Sequence, residues 1–378
     1  MQVVALTGPA PSKLPHTGLG IFEMRSERVN GAPSYVMMGN ANILLWRNIV
    51  GSCWIVGERV HVGTNRGALR ARDGAATPDG VSAAWEFQDG PMTWAEAPDV
   101  TCVARTELEE ELNQAASSIG LVGDTPDRLQ RDCLGLFEAT GKRANGYPIY
   151  ALAGSDGADL LWHAGSVWVV GNREDLGSAV GGLLAYDGAL RPERVKACWA
   201  VIGSQEQWVS ASGVKVLVGA ALDFELSSAA HTVALAGATP HNLQRSFVGV
   251  FVKLPNRING LPTYRGKGGG ASNVLMWHSA SCWFVGSITS TRGMLRARDG
   301  ALRPECVRAT WEVWDERSDS WVEAPDLRCL PKHHVVRAVE EMERGGGVGA
   351  VPPVGRGGLR RTASAVGRLQ QQTRAPMA

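Results

Sequence analysis

Several residues recur in this sequence in types that do chemistry elsewhere. Trp94, Trp208 and Trp321 each follow a polar turn, as in Glu206-Gln207-Trp208 and Asp319-Ser320-Trp321. An exposed indole is a platform for a sugar ring or a peptide, so these three are the candidate ligand-binding residues. Asp73, Asp187 and Asp299 each precede Gly-Ala. A single carboxylate before glycine reads as turn chemistry, because general acid–base work needs a second group beside it. His163 and His278 follow a tryptophan at the place where Arg47 stands earlier in the chain, and are expected to be solvated groups at strand ends. His333-His334 adjoin and would point to different faces of a helix. None of these has metal-ligand spacing, so no metal and no other cofactor is expected.

Seven cysteines are present with no Cys-x-x-Cys, which argues against a dense disulfide framework or a structural zinc site. Cys53 and Cys102 match Cys282 and Cys329, whereas the middle of the chain has Val167 and Val216 at both places. Two positions that exchange together are expected to touch, as buried thiols in a reducing compartment rather than as a disulfide. No Gly-x-Ser-x-Gly, phosphate-binding Gly-x-x-x-x-Gly-Lys, His-Glu-x-x-His or dinucleotide-type glycine run occurs, and Gly268-Gly269-Gly270 lacks the lysine of a phosphate cradle. The expectation is a non-catalytic repeat protein that binds or scaffolds a protein or glycan partner. The alternatives are a structural subunit of a larger assembly and an enzyme whose site is gathered from scattered residues.

The elements that must position these residues come in three copies. Gly8…Leu19-Gly20-Ile21-Phe22…Arg28-Val29-Asn30-Gly31-Ala32-Pro33-Ser34-Tyr35 returns as Gly123…Leu134-Gly135-Leu136-Phe137…Arg143-Ala144-Asn145-Gly146-Tyr147-Pro148-Ile149-Tyr150. It returns again as Gly237…Val248-Gly249-Val250-Phe251…Arg257-Ile258-Asn259-Gly260-Leu261-Pro262-Thr263-Tyr264. Downstream, Trp54-Ile55-Val56-Gly57 recurs as Trp168-Val169-Val170-Gly171 and Trp283-Phe284-Val285-Gly286, and of the 13 tryptophans only Trp314 lies outside the pattern.

Each copy reads as strands and turns. Asn-Gly is the pair favoured in a two-residue type I′ hairpin, where both central residues need positive φ. Asn30-Gly31, Asn145-Gly146 and Asn259-Gly260 are therefore expected to be structural turns. The following proline cannot donate to a ladder, which puts its arm at a sheet edge or delays pairing until beyond it. Arg28, Arg143 and Arg257 are expected in salt bridges or stacked on their own module's aromatics. Ile43-Leu44-Leu45-Trp46 and Cys53-Trp54-Ile55-Val56 read as a hairpin buried on both faces. Trp85 to Trp94 forms another, and a short strand near Val100–Val103 ends the module.

The fold expected is mainly β: three tandem antiparallel β-meander modules with short linker helices and a disordered C-terminal tail. The boundaries are module 1 at 1–103, a linker helix at 104–118 (centred on 107–118), module 2 at 119–218, and a linker at 219–232 with helix near 222–230. Module 3 follows at 233–331, then a short helix at 332–344 and a basic tail at 345–378, which has no acidic residue and too little apolar surface to order itself.

Arg-x-Asn-Gly-x-Pro-x-Tyr, then an apolar strand ending in Trp, then Trp-x-Val-Gly resembles repeat modules of uncharacterised algal and protist proteins over nearly all of residues 1–330. The resemblance implies a module type and is nearly silent on activity. Basic and acidic side chains number 38 and 37, so no global field favours nucleic acid, for which only the basic tail offers a weak site. No apolar run reaches the roughly 18 residues of a membrane span. Met1–Leu6 lacks the marks of a secretory signal, so no membrane insertion and an intracellular, cytoplasmic location are expected.

Overall fold

The computed structural model describes residues 2–9, 18–50, 52–90, 93–203, 205–267, 273–287 and 293–331. The helix expected at 332–344 and the tail at 345–378 lie outside them.

Each repeat builds one antiparallel sheet of nine strands. In the first these are β1 (Val3–Thr7), β2 (Gly20–Met24), β3 (Tyr35–Met37), β4 (Asn40–Arg47), β5 (Trp54–Glu58), β6 (Leu69–Ala71), β7 (Trp85–Gln88), β8 (Trp94–Ala97) and β9 (Thr101–Ala104). Strands β1 to β8 run as a meander, and β9 returns to pair with β1, giving the order β8-β7-β6-β5-β4-β3-β2-β1-β9. The second sheet, β10 (Ser118–Val122) to β18 (Lys215–Leu217), and the third, β19 (Thr232–Ala236) to β27 (Arg328–Pro331), repeat that order.

This order forces curvature. Laid flat at about 4.8 Å per strand, the two edges of such a sheet would stand about 38 Å apart. Yet β8 and β9 are joined by Pro98-Asp99-Val100 alone, a connector that reaches no further than roughly 14 Å. The sheet curls until its edges lie side by side. Inside the curl pack Phe22, Tyr35, Leu45, Trp54, Val56 and Trp85. The alternate residues of the β4–β5 hairpin, Leu44, Trp46, Cys53 and Ile55, point outward and are covered by Val29 and Val62, so the hairpin is buried on both faces.

Buried indoles are anchored through their N–H groups. Trp54, Trp168 and Trp283 donate to the carbonyls of Ala75, Ala189 and Ala301 at 2.9, 2.9 and 2.7 Å. The same loop is closed by the recurring aspartate. One oxygen of Asp299 accepts from Ala301 N–H and the other from Arg308 and Ala309 N–H. Asp73 and Asp187 do the same in their own modules. With three amide donors each, these are turn-closing carboxylates. Those bonds hold the half-buried Asp73 carboxyl down at about 2.

The Asn-Gly pairs sit at hairpin tips with positive φ at both residues: 52° and 78° at Asn30-Gly31, 52° and 87° at Asn145-Gly146, 53° and 74° at Asn259-Gly260. That is the type I′ signature. Pro148 lies in β12 (Tyr147–Leu152), inside the sheet, but the ladder to β13 (Asp159–His163) pairs only Tyr150 and Ala151. The missing donor is thus placed where no partner is required.

Two linker helices differ from their expected bounds. α1 spans Arg105–Asn113, because Ser118 is already paired with Glu138 as the first residue of β10. α2 spans Gly219–Ser227, with Val218 alone between it and β18. Both are structural wedges. Leu108 and Leu112 of α1 share one apolar cluster with Ala5 and Ile21 of module 1 and with Tyr147 and Leu190 of module 2. Leu222 and Leu226 of α2 join Leu136 to Leu261 and Leu302 in the same way. The modules are fused through common cores.

Candidate functional site

Trp94 and Trp321 are half-buried and each lies beneath an arginine. The Arg70 guanidinium carbon is 3.9 Å from the centre of the Trp94 ring, and that of Arg296 is 4.1 Å from the Trp321 ring. Register explains the pairing. Strands β6 and β7 place Arg70 opposite Glu86, and β24 (Leu295–Arg298) and β25 (Trp311–Asp315) place Arg296 opposite Glu312. Each arginine is salt-bridged to that glutamate, which holds the guanidinium flat over the indole. In module 2 the corresponding residues are Leu184 and Ala200, and Trp208 has no such cover and is 41% exposed. The three tryptophans are therefore not equivalent. Two belong to an Arg–Glu–Trp triplet that the tryptophan spacing alone does not reveal. Its signal in the sequence is Arg-Ala-Arg-Asp-Gly-Ala, which begins at Arg70 and at Arg296.

Around the first triplet lies an open groove of about 910 Å³, lined by Glu58, His61, Arg66, Arg70, Arg72 and Trp94 among others. Its three arginines face two glutamates, of which Glu86 is bound to Arg70 and is 3.4 Å from Arg72. The balance of charge is positive and the floor is aromatic, which suits a polar ligand that carries acidic groups.

No known protein family, curated protein or solved structure matches this chain. The geometry alone must therefore carry the functional reading.

A second cavity, of about 440 Å³, lies where modules 2 and 3 meet and is lined by Asp132, Cys133, Asp159, Ser281, Cys282 and Arg298 among others. These are groups that can do chemistry, but burial works against the thiols as nucleophiles. Burial pushes the Cys282 thiol up to about 11 and raises that of Cys133 further. A nucleophilic cysteine needs the opposite shift. Burial, and then the neighbouring Asp132, raise the Asp159 carboxyl. Among the described residues, no group of three or more His, Cys, Asp and Glu side chains is placed to hold a metal ion.

The histidines correct the sequence expectation. His163 and His278 are fully buried, and each ring Nε2 donates to a backbone carbonyl, that of Asp187 at 3.0 Å and that of Asp299 at 3.2 Å. His163 also stacks on Tyr147 with ring centres 3.8 Å apart. The loop that carries the aspartate closes over the strand end, so no solvent reaches the imidazole. Burial lowers His163 to about 3 and His278 to about 4.

Cys53 and Cys102 belong to apolar clusters on opposite faces of the sheet. Cys53 packs with Leu44, Trp46 and Ile55 outside the curl, whereas Cys102 packs against the cluster inside it. Val167 and Val216 are likewise in different clusters. All seven cysteines are free thiols. The arginines before Asn-Gly have separate roles: Arg28 donates to Gly31 O at 2.9 Å, while Arg143 bridges to Glu109 of α1 at 2.9 Å.

Proposed function

We propose that this chain is a non-catalytic scaffold whose module 1 groove binds a protein or glycan partner through acidic groups. The observation that carries this reading is the Trp94–Arg70–Glu86 triplet at the groove floor, where an aromatic face and a fixed guanidinium converge on an open surface. The buried ionisable groups support it, since Asp187, Asp299, Arg131, His163 and His278 all bond partners that hold the modules closed. No helix among the described residues is long and apolar enough to cross a membrane. Seven free thiols fit a reducing, intracellular setting.

The test is a glycan and acidic-peptide array read with the full chain, followed by titration calorimetry on each hit. Arg70→Ala and Trp94→Ala are expected to weaken binding about tenfold or more, about 1.4 kcal/mol, while Trp208→Ala leaves it unchanged. Turnover of any compound that is abolished by Asp159→Asn or Cys133→Ala would overturn the reading. So would binding indifferent to both groove variants.

A further inference from the structure

The two junctions within the chain are copies of one another. Ile21 of module 1 packs on the Gly146 turn of module 2, and Leu136 of module 2 packs on the Gly260 turn of module 3. A Cβ at Gly39 would fall 2.5 Å from the Asn145 side chain, and one at Gly154 would fall 2.3 Å from that of Asn259. Leu19 meets Gly188 as Leu134 meets Gly300. Arg191–Glu111 and Arg303–Glu225 tie each linker helix to the module that follows it. Every module thus offers a leading face to its successor and a trailing face to its predecessor, and these faces differ. A contact of this kind, repeated in one direction, has no reason to stop after three modules.

Among the described residues, the outer faces of modules 1 and 3 are both unfilled. On the leading face of module 3, Val250 stands where Ile21 and Leu136 stand, and its exposure is 37% against 1% and 4%. A Cβ on neighbouring Gly249 would meet nothing within 4 Å. Arg245 occupies the place of Arg131, which is buried and makes a bidentate pair with Asp299 of the next module. Arg245 keeps the equivalent bond to its own Gly237 carbonyl but is exposed. On the trailing face of module 1, a Cβ on Gly31 meets nothing, in contrast to Gly146 and Gly260. Asp73, in the place of Asp299, is only half-buried.

The β4–β5 turn also differs. It is two residues longer than its counterparts, as the Trp46–Trp54 and Trp162–Trp168 spacings show, and it exposes Ile49 (74%) and Val50 (73%). Its shorter counterpart in module 2 packs Gly165 against Met37. In module 3 the residue in the place of Met37 is Gly266. A longer apolar turn on one free face and a missing side chain on the other are complementary changes.

We infer that module 3 of one copy docks on module 1 of the next through this same junction, building open head-to-tail chains of the protein. The inference is independent of the Trp94 groove, whose floor is formed by β6 to β8. Between separate chains the contact lacks the effective concentration, of order millimolar, that a short linker supplies. Assembly therefore appears only as protein concentration rises.

Sedimentation velocity of the full chain across a wide concentration range tests the inference. The expected result is a mass that keeps growing beyond the dimer, in whole multiples of the monomer. Val250→Asp and Ile49→Asp, both at exposed positions that leave the fold intact, are each expected to weaken association about tenfold or more. Phe224→Ser, which removes a side chain on α2 as exposed as Ile49 (72% against 74%), is expected to change nothing. A chain that stays monomeric up to millimolar concentration, a dimer that saturates, or association lost only in Phe224→Ser would each overturn the inference.

Discussion

At the scale of single residues, the recurring polar side chains are internal fittings. The Asn145 side chain shows how. Its backbone supplies the positive φ of the turn, and its amide also donates to the carbonyls of His163 at 2.9 Å and Gly177 at 3.1 Å. Asn30 and Asn259 repeat the first of these bonds to Arg47 and His278 at 2.9 Å. The turn was legible in the sequence because φ is a local property. The second duty was not, because the acceptor lies 18 residues away on β13. The buried imidazoles lead to a pH prediction. An unfolded histidine titrates near 6.5, whereas His163 and His278 do so at about 3 and about 4 in the folded chain. Between those values the unfolded chain binds protons that the folded chain refuses. The stability from neutral imidazole is complete above pH 6.5 and falls on acidification, by up to about 1.4 kcal/mol per pH unit for each ring. Urea midpoints are expected to drop from pH 6.5 to 4.5, with a shallower drop in His278→Gln. Half-buried Asp159 and buried Asp187, whose carboxyls are raised, act in the opposite sense, so the difference between the two proteins isolates the ring. A difference that does not vary with pH would refute the assignment.

At the scale of elements, the hairpins could be read from the sequence because their apolar runs and turns are contiguous. The helices could not be placed as well. α1 has a weak apolar face of its own, only Leu108 and Leu112 being buried, and its ends are fixed by the strands on either side. A helix held by packing rather than by propensity follows its neighbours. It should also transmit damage to them. Leu108→Ala removes a side chain from a cluster that holds Ala5 and Ile21 on one side and Tyr147 and Leu190 on the other. The expected cost is about 2–5 kcal/mol. Hydrogen exchange is expected to speed up in β1 and in β10 together. Faster exchange in one of those strands alone would mean that the helix serves a single module.

At the scale of the whole molecule, the repeat was visible from the tryptophan spacing, but the fusion of modules was not, because the junction contacts carry no motif. Leu19 and Gly188 are ordinary residues until the next module arrives. The most demanding of these contacts is the ion pair of Arg131 with Asp299, which are 168 residues apart and both buried. An ion pair taken out of water gains little net stability, but removing one partner strands the other charge. Asp299 additionally closes its own loop through three amide N–H groups. Asp299→Ala therefore leaves a buried guanidinium and three unpaired donors, with an expected loss of about 3–5 kcal/mol. The loss falls on module 3 and its junction, while the cluster around α1 keeps modules 1 and 2 joined. Denaturant unfolding followed by exchange-resolved mass spectrometry is expected to separate into two steps, with module 3 opening first. Replacing both partners, as Arg131→Met with Asp299→Asn, retains part of the loop closure, strands no charge, and is expected to restore most of the loss. If the single variant unfolds in one step, with all three modules opening together, the junction is not what sets the stability of module 3.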